Sequence, residues 1–100
     1  MILITGTIRI PAGSLAAARP AMERMIAASR AEPGCRVYSY AEDVLEPGLI
    51  RVTELWSDRH MLDRHFASTH IQEWRAQWSQ LGITDRALHA YEVDEGQAVR

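Results

Sequence analysis

The stretch Leu49–His70, "LIRVTELWSDRHMLDRHFASTH", contains the change of periodicity that decides the fold. Its first eight residues alternate between two faces, which is the period of a β-strand. After Ser57 and Asp58, either of which can cap a helix, the apolar residues recur every three or four positions. The stretch therefore predicts a strand over Leu49–Trp56 and a helical segment from Ser57 to Leu81. One strand face carries Ile50, Val52, Glu54 and Trp56, and one helical stripe carries Met61, Leu62, His65 and Phe66.

Three more strands and one more helix are predicted around this stretch. Ser14 is expected to cap the first helix, Pro20 is awkward inside it, and Ser68–Thr69 is a candidate break in the second helical segment. The order β-α-β-β-α-β predicts an α+β fold, with a four-stranded antiparallel sheet that carries both helices on one face. The further strands are predicted over Met1–Ile10, Cys35–Ala41 and Ala87–Val93, and the first helix over Leu15–Ala31.

The composition predicts one small globular domain. The chain has 100 residues, 47% of them hydrophobic, and a net charge of −2. Its eleven basic residues are all arginines and are scattered, so nucleic acid and anionic membranes are not expected as partners. A single cysteine, Cys35, excludes an internal disulfide, and no apolar run reaches membrane-spanning length. We therefore expect a cytoplasmic protein.

Three of the four histidines recur at a spacing of five, which raises the question of a metal site. In a continuous helix, five residues advance about 140° past a full turn, so the rings of His60, His65 and His70 should point in different directions. Zinc-binding helical pairs instead lie four residues apart. The spacing therefore predicts no metal site made of these three histidines.

His65 is the histidine that falls on the apolar stripe. Most histidines in such a position are core residues whose polar atoms are satisfied by neighbours. The functional alternative is a pocket residue that accepts a proton, because an unperturbed imidazole has a pKa near about 6.5. The residues alone leave both interpretations open.

The segment Glu54–His70, "ELWSDRHMLDRHFASTH", resembles the antibiotic biosynthesis monooxygenase family. That family typically has Glu-x-Trp at the end of the third strand and a histidine nine residues after the tryptophan, which Trp56 and His65 match; His70 matches a second histidine that often follows. The segment Arg30–Tyr40, "RAEPGCRVYSY", resembles the helix-to-strand junction of the family. The resemblance covers roughly residues 2 to 94 of a single domain.

The resemblance implies a dimeric α+β barrel, in which two ferredoxin-like subunits pack sheet against sheet and each holds a pocket between its sheet and its helices. The half-apolar second sheet face suits such a homodimer. Members of the family include cofactor-free oxygenases of polyphenols, anthrones and quinols, haem-degrading enzymes, sugar isomerases and proteins without known activity.

The residues of this chain can be compared with those that are typical of two of these branches. Haem degraders carry an asparagine, a tryptophan and a histidine at positions that are Gly6, His65 and Arg75 here, so haem degradation is not expected. Cofactor-free oxygenases look to a tyrosine on the second strand and a tryptophan that ends the third, which Tyr40 and Trp56 match. An asparagine that they can also carry falls at Val52.

The resemblance to the oxygenases implies a reaction without metal or flavin, with molecular oxygen as co-substrate. His65 is then the expected catalytic base, and Arg75 is expected to stabilise a developing oxyanion. Gly6 is expected to let a ligand approach the first strand. The expected walls of a flat aromatic pocket are Tyr40, Trp56 and Phe66. Each residue also has a plain structural role open to it, such as core packing for Trp56 or a surface ion pair for Arg75.

Three functions follow from these residues and the resemblance. The first is a cofactor-free monooxygenase of a small aromatic substrate. The second is a small-molecule isomerase, which would need the histidine and the arginine but no oxygen. The third is a non-catalytic, ligand-binding dimer, which a pocket filled by Trp56, His65 and Phe66 would favour.

Overall fold

A computed structural model describes all 100 residues. The chain forms the predicted α+β arrangement, with the second helical segment divided into three helices. The strands are β1 (Ile2–Arg9), β2 (Cys35–Glu42), β3 (Leu49–Trp56) and β4 (Thr84–Glu92), and the helices are α1 (Leu15–Arg30), α2 (Arg59–Phe66), α3 (Thr69–Ala76) and α4 (Trp78–Leu81). None of the helices has the length and apolarity needed to cross a membrane.

The four strands form one antiparallel sheet in the order β2-β3-β1-β4. The helices cover one face of this sheet, so the alternating residues of the central strands divide into a buried set and an open set. The buried set confirms the face predicted for β3, and the isoleucines of β1 lie on the same side of the sheet. The members of the buried set are Ile2, Ile4, Ile8, Ile50, Val52, Glu54 and Trp56, each less than 5% exposed.

The second helical segment breaks after Phe66, close to the predicted break. Asp58 is the N-cap residue of α2, and its carboxylate accepts a hydrogen bond from the backbone N–H of Met61 (2.9 Å). Ser68 then has an extended backbone conformation before α3 begins, so the direction of the chain changes between His65 and His70. Gly82, with φ 71°, follows α4, so the helical segment ends at Leu81 as predicted. This break brings the two histidines together.

One boundary prediction is wrong, and one is confirmed without the hydrogen bond expected of it. The last strand begins at Thr84 and not at Ala87, because its first residues pair with β1 through a shift of register, with Asp85 at φ 55°. An irregular, polar strand start of this kind hides the period-two signal. Ser14 does occupy the N-cap position of α1, but its side chain makes no capping hydrogen bond, and the helix runs through Pro20.

Gly6 has a structural role that differs from the one predicted. Its φ is 157°, and a Cβ atom at this position would lie 1.9 Å from the carbonyl oxygen of Ala87. The backbone of β4 therefore approaches Gly6 closely and accounts for a glycine at this position. A role of Gly6 in substrate binding stays a prediction.

Candidate active site

His65 lies at the centre of the candidate site, between the sheet and the helices. Helix α2 places it on the inward stripe, and it is 1% exposed. Its ring is 4.6 Å from that of Trp56 and 5.2 Å from that of Tyr38, measured between centroids. The imidazole is thus enclosed by aromatic rings, and each of its nitrogens faces a carboxylate.

Glu32 faces the first of these nitrogens. Its Oε1 lies 3.1 Å from Nδ1 of His65, and the same oxygen contacts Nε2 of His70. In the neutral imidazole, an Nδ1–H that donates to a carboxylate leaves the lone pair on Nε2. Glu32 therefore favours the tautomer in which Nε2 of His65 can accept a proton.

Glu54 faces the second nitrogen. Its Oε1 lies 3.8 Å from Nε2 of His65 and accepts a hydrogen bond from the indole N–H of Trp56 (3.0 Å). The alternation of β3 turns this carboxylate to the buried face, where it is 3% exposed. Trp56 thus holds Glu54 in place beside the imidazole.

The enclosure shifts the ionisation of both groups. Burial lowers the pKa of His65, and the hydrogen bond and charge of Glu32 oppose this shift only in part. Burial raises the pKa of Glu54, against the effect of the hydrogen bond from Trp56. The surroundings of His65 therefore favour the neutral imidazole, which is the form that accepts a proton.

A small cavity of about 20 Å³ adjoins these two groups. Aromatic rings form much of its wall, and the guanidinium of Arg75 lies 5.8 Å from the ring centre of Phe66, which is 37% exposed. A volume of this size holds about one water molecule and no aromatic ring. The lining residues are Ile8, Tyr38, Tyr40, Glu54, His65, Phe66, Ile71, Trp74, Arg75, Trp78, Arg86 and Leu88.

The predicted site residues fall into two groups. His65, Tyr40, Phe66 and Arg75 meet at the cavity. Trp56 is fully buried and lies outside the lining, so it acts on the site through its hydrogen bond to Glu54. Gly6 also lies outside the lining, for the reason given above.

The three regularly spaced histidines do not lie on one continuous helix. The expectation that His65 and His70 point apart is wrong, because the chain breaks between α2 and α3, and their ring centres are 5.9 Å apart. The hydroxyl of Ser68 at this break donates to the carbonyl of His65 (2.6 Å) and lies 3.2 Å from Nε2 of His70. His60 is exposed and takes no part in the cluster.

Sequence reasoning did not single out three charged residues of the site. Glu54 could have been found from the sequence, because it alternates with Ile50, Val52 and Trp56 and so lies on the buried face of the strand. A buried carboxylate needs polar partners. Glu32 sits in the turn after α1, and Arg86 sits in the irregular start of β4. The turn and the irregular strand start have no regular spacing from which the directions of these two side chains could be predicted.

Cys35 provides a test of the electrostatics around this cluster. Burial raises the pKa of its thiol to about 11, and the charges of Glu32 and Glu54 add to the shift. The thiolate is the reactive form, so we expect alkylation by iodoacetamide at pH 8 to be more than about ten-fold slower in the folded chain than in the same chain unfolded in urea. Mass spectrometry at timed intervals measures both rates. Equal alkylation rates in the folded and the unfolded chain would contradict the raised pKa of Cys35.

The fold and the site together define a ferredoxin-like α+β domain with a buried histidine–carboxylate cluster between its sheet and its helices. Residues 1–77 match the family described as antibiotic biosynthesis monooxygenase, and the chain belongs to this family. The resemblance drawn from Trp56, His65 and His70 is thereby confirmed at the level of the family.

Two curated proteins are similar to the chain along its sequence. "Uncharacterized protein sll1783" of Synechocystis is 28% identical over 98 residues, which span 98% of this chain and 67% of that protein. "Putative monooxygenase Rv0793" of Mycobacterium tuberculosis is 37% identical over 65 residues, which span 65% of this chain and 63% of that protein. The matched part thus covers about two thirds of each relative.

Solved structures resemble the whole domain. A protein of Deinococcus radiodurans, described as a putative antibiotic biosynthesis monooxygenase, superposes with a TM-score of 0.91 at 28% identity, over 100% of this chain and 99% of the other. The structure of Rv0793 superposes with a TM-score of 0.75 at 28% identity, over 97% and 100% of the two chains. These likenesses agree with the observed order of strands and helices.

Proposed function

We propose that this protein is a cofactor-independent monooxygenase that oxidises a small aromatic substrate of the quinol, anthrone or polyphenol type. The observation that carries the proposal is the arrangement at His65. Glu32 holds Nδ1, Nε2 is left to accept a proton, and aromatic rings surround the adjoining cavity. Family membership supports a monooxygenase-type reaction in such a site.

In the proposed reaction, the substrate supplies the electrons that a metal or flavin supplies elsewhere. Nε2 of His65 removes a proton from an anthrone or phenol, and the resulting anion transfers one electron to molecular oxygen. The carbon radical and superoxide combine into a peroxide anion on carbon, and the imidazolium of His65 returns its proton to give a hydroperoxide. Loss of water from the CH–OOH group of an anthrone leaves a carbonyl, so one oxygen atom stays on the substrate and the other leaves as water.

Two arginines support the proposal, because their positive charges can stabilise the anion that forms. Arg75 and Arg86 both line the cavity, from α3 and β4 respectively. Positive charges held near a developing oxyanion stabilise it. The proposal therefore assigns the oxyanion to the side of the cavity that these guanidinium groups occupy.

The small volume of the cavity favours a second candidate, a binding protein without catalysis. Small-molecule sites usually have volumes of about 300–1,000 Å³, and about 20 Å³ is available beside His65. The proposed enzyme must therefore open before a ring can enter. Phe66 is the most exposed ring of the wall, so its rotation, together with that of Arg75, is the proposed route of access.

Oxygen uptake distinguishes the candidates. The protein, dialysed against EDTA, is mixed with a panel of hydroquinones and anthrones in an oxygen-electrode cell, and products are separated by chromatography. The monooxygenase is expected to consume one molecule of oxygen for each quinone formed from an anthrone. An isomerised product without uptake would support the isomerase. No reaction across the panel, together with ligand binding by calorimetry, would support the non-catalytic protein.

The proposal includes a homodimer that forms through the open face of the sheet. Four partly exposed apolar side chains cross this face in one row, because their positions are paired from strand to strand. An apolar row of this kind on a flat sheet favours contact with a second apolar surface. The row consists of Val37, Leu55, Leu3 and Tyr91, and Val37 and Tyr91 are 40% and 51% exposed.

Leu55→Glu is expected to convert the dimer to monomers. The substitution places a charge in the middle of the apolar row, and two such charges would face an apolar surface across the interface. Light scattering coupled to size exclusion measures the mass of the chain and of the variant. Val44→Glu, at a loop residue that is 96% exposed, is the matched control and should leave the mass unchanged. A monomeric wild-type chain would exclude the proposed dimer.

A further inference from the structure

We propose that Glu32, His65 and His70 form a binding site for one divalent transition-metal ion, with Zn²⁺ as the best chemical match. One donor atom from each residue lies within 4.8 Å of the other two. Two imidazoles and one carboxylate are a ligand set that Zn²⁺ accepts, with water or an anion in the fourth position. Oxygen-seeking ions such as Mg²⁺ and Ca²⁺ do not prefer such a set.

The geometry needs only small adjustments to close around an ion. Ligand atoms about 2.0–2.2 Å from a tetrahedral Zn²⁺ lie about 3.3 Å from one another. Nδ1 of His65 is already 3.1 Å from Oε1 of Glu32, and that oxygen also contacts Nε2 of His70. The break at Ser68 supplies this convergence, since a continuous helix would send the two rings apart.

The surroundings supply the two other features that a metal site requires. On the inner side, Glu54 lies 3.8 Å from Nε2 of His65, where a carboxylate can receive the N–H of a metal-bound imidazole. On the outer side, Glu32 and His70 line an open groove of about 140 Å³, through which the ion and its fourth ligand can enter. Arg64 also lines this groove, so an anionic fourth ligand is favoured.

Metal binding would act against the proposed oxidation. An ion on Nδ1 of His65 moves the ring proton to Nε2, where it can donate to Glu54. Nε2 then has no lone pair with which to accept a proton from a substrate. The metal site is therefore a separate property of the chain, which would exist whether or not the proposed oxidation occurs.

Titration with Co²⁺, a spectroscopic substitute for Zn²⁺, tests the site. The tag-free chain is first dialysed against EDTA and then against metal-free buffer. We expect one equivalent of Co²⁺ per chain, with the intense visible absorption of low-coordinate Co²⁺, and displacement by Zn²⁺. His70→Ala and Glu32→Gln should each weaken binding at least ten-fold, because even the loss of an outer partner of a metal ligand costs about 10–100-fold.

His60→Ala is the matched control, because His60 comes from the same histidine-rich segment but is exposed and outside the cluster. Its affinity should equal that of the wild-type chain. In case a variant fails to fold, imidazole NMR signals of the wild-type chain provide a second measurement. Zn²⁺ should shift His65 and His70 and leave His60 and His89 unchanged. No Co²⁺ spectrum at millimolar concentration, or equal losses in the His60 and His70 variants, would show a hydrogen-bonded cluster only.

Discussion

Replacing His65 by glutamine is expected to lower oxygen consumption by about 10²- to 10⁴-fold, which is the usual contribution of a positioned general base. The measurement uses the hydroquinone or anthrone that the wild-type protein oxidises fastest. Glutamine retains much of the volume of the imidazole but cannot accept the substrate proton. The loss should therefore appear in kcat, while binding of the substrate changes less.

His60→Gln is the control for this experiment. Both residues lie in α2, but His60 is exposed and His65 is buried at the cavity. The control variant should keep the wild-type rate. If the two substitutions lower the rate equally, His65 is not the base. All assays contain EDTA, so that a metal ion on the neighbouring Glu32 and His70 cannot contribute to the difference.

Glu32→Gln separates the base from the group that positions it. Glu32 does not line the cavity, and it reaches the substrate only through Nδ1 of His65. An amide oxygen can still accept from Nδ1–H, so the favoured tautomer survives without the negative charge. The rate should therefore fall less than in His65→Gln. A positioning role also predicts that Glu32→Asp, whose carboxylate is retained on a shorter side chain, recovers part of the loss.

The architecture could be predicted from the sequence because the strands are regular. The alternation in β3 gave the correct bounds and the correct buried face, including the face of Glu54. The helices followed from apolar spacing in the same way. The family resemblance rested on Trp56, His65 and His70, which belong to these regular segments or directly follow them.

The positions of Glu32 and His70 could not be predicted, because they depend on the irregular connections. Glu32 lies in the turn between α1 and β2, and His70 is aimed by the break at Ser68. Periodicity describes a continuous helix or strand and gives no direction to a side chain beyond a break. The prediction that the rings of His65 and His70 point apart was wrong for this reason, because it treated two separate helices as one continuous helix.

Gly6→Ala is expected to lower the free energy of unfolding by about 2–6 kcal/mol. The new Cβ would lie 1.9 Å from the carbonyl oxygen of Ala87 and 2.8 Å from Cα of Leu88, so the β1–β4 pairing must shift. Overpacking of this kind costs about 1–3 kcal/mol, and a φ of 157° adds about 1–3 kcal/mol for a residue that is not glycine. At a urea dependence of about 1.5 kcal/mol per M, the midpoint should fall by about 1–4 M.

Gly13→Ala separates the steric contribution from the conformational one. Gly13 also has a positive φ, 84°, but no atom lies within 4 Å of the position of its Cβ. This control should therefore lose only the smaller, conformational amount, about 1–2 kcal/mol. Both variants are unfolded at the same protein concentration, because the proposed dimer would make the midpoint depend on concentration. If Gly6→Ala is no less stable than Gly13→Ala, the backbone of β4 does not require glycine at position 6. The space between Gly6 and Ala87 would then be large enough for a side-chain atom.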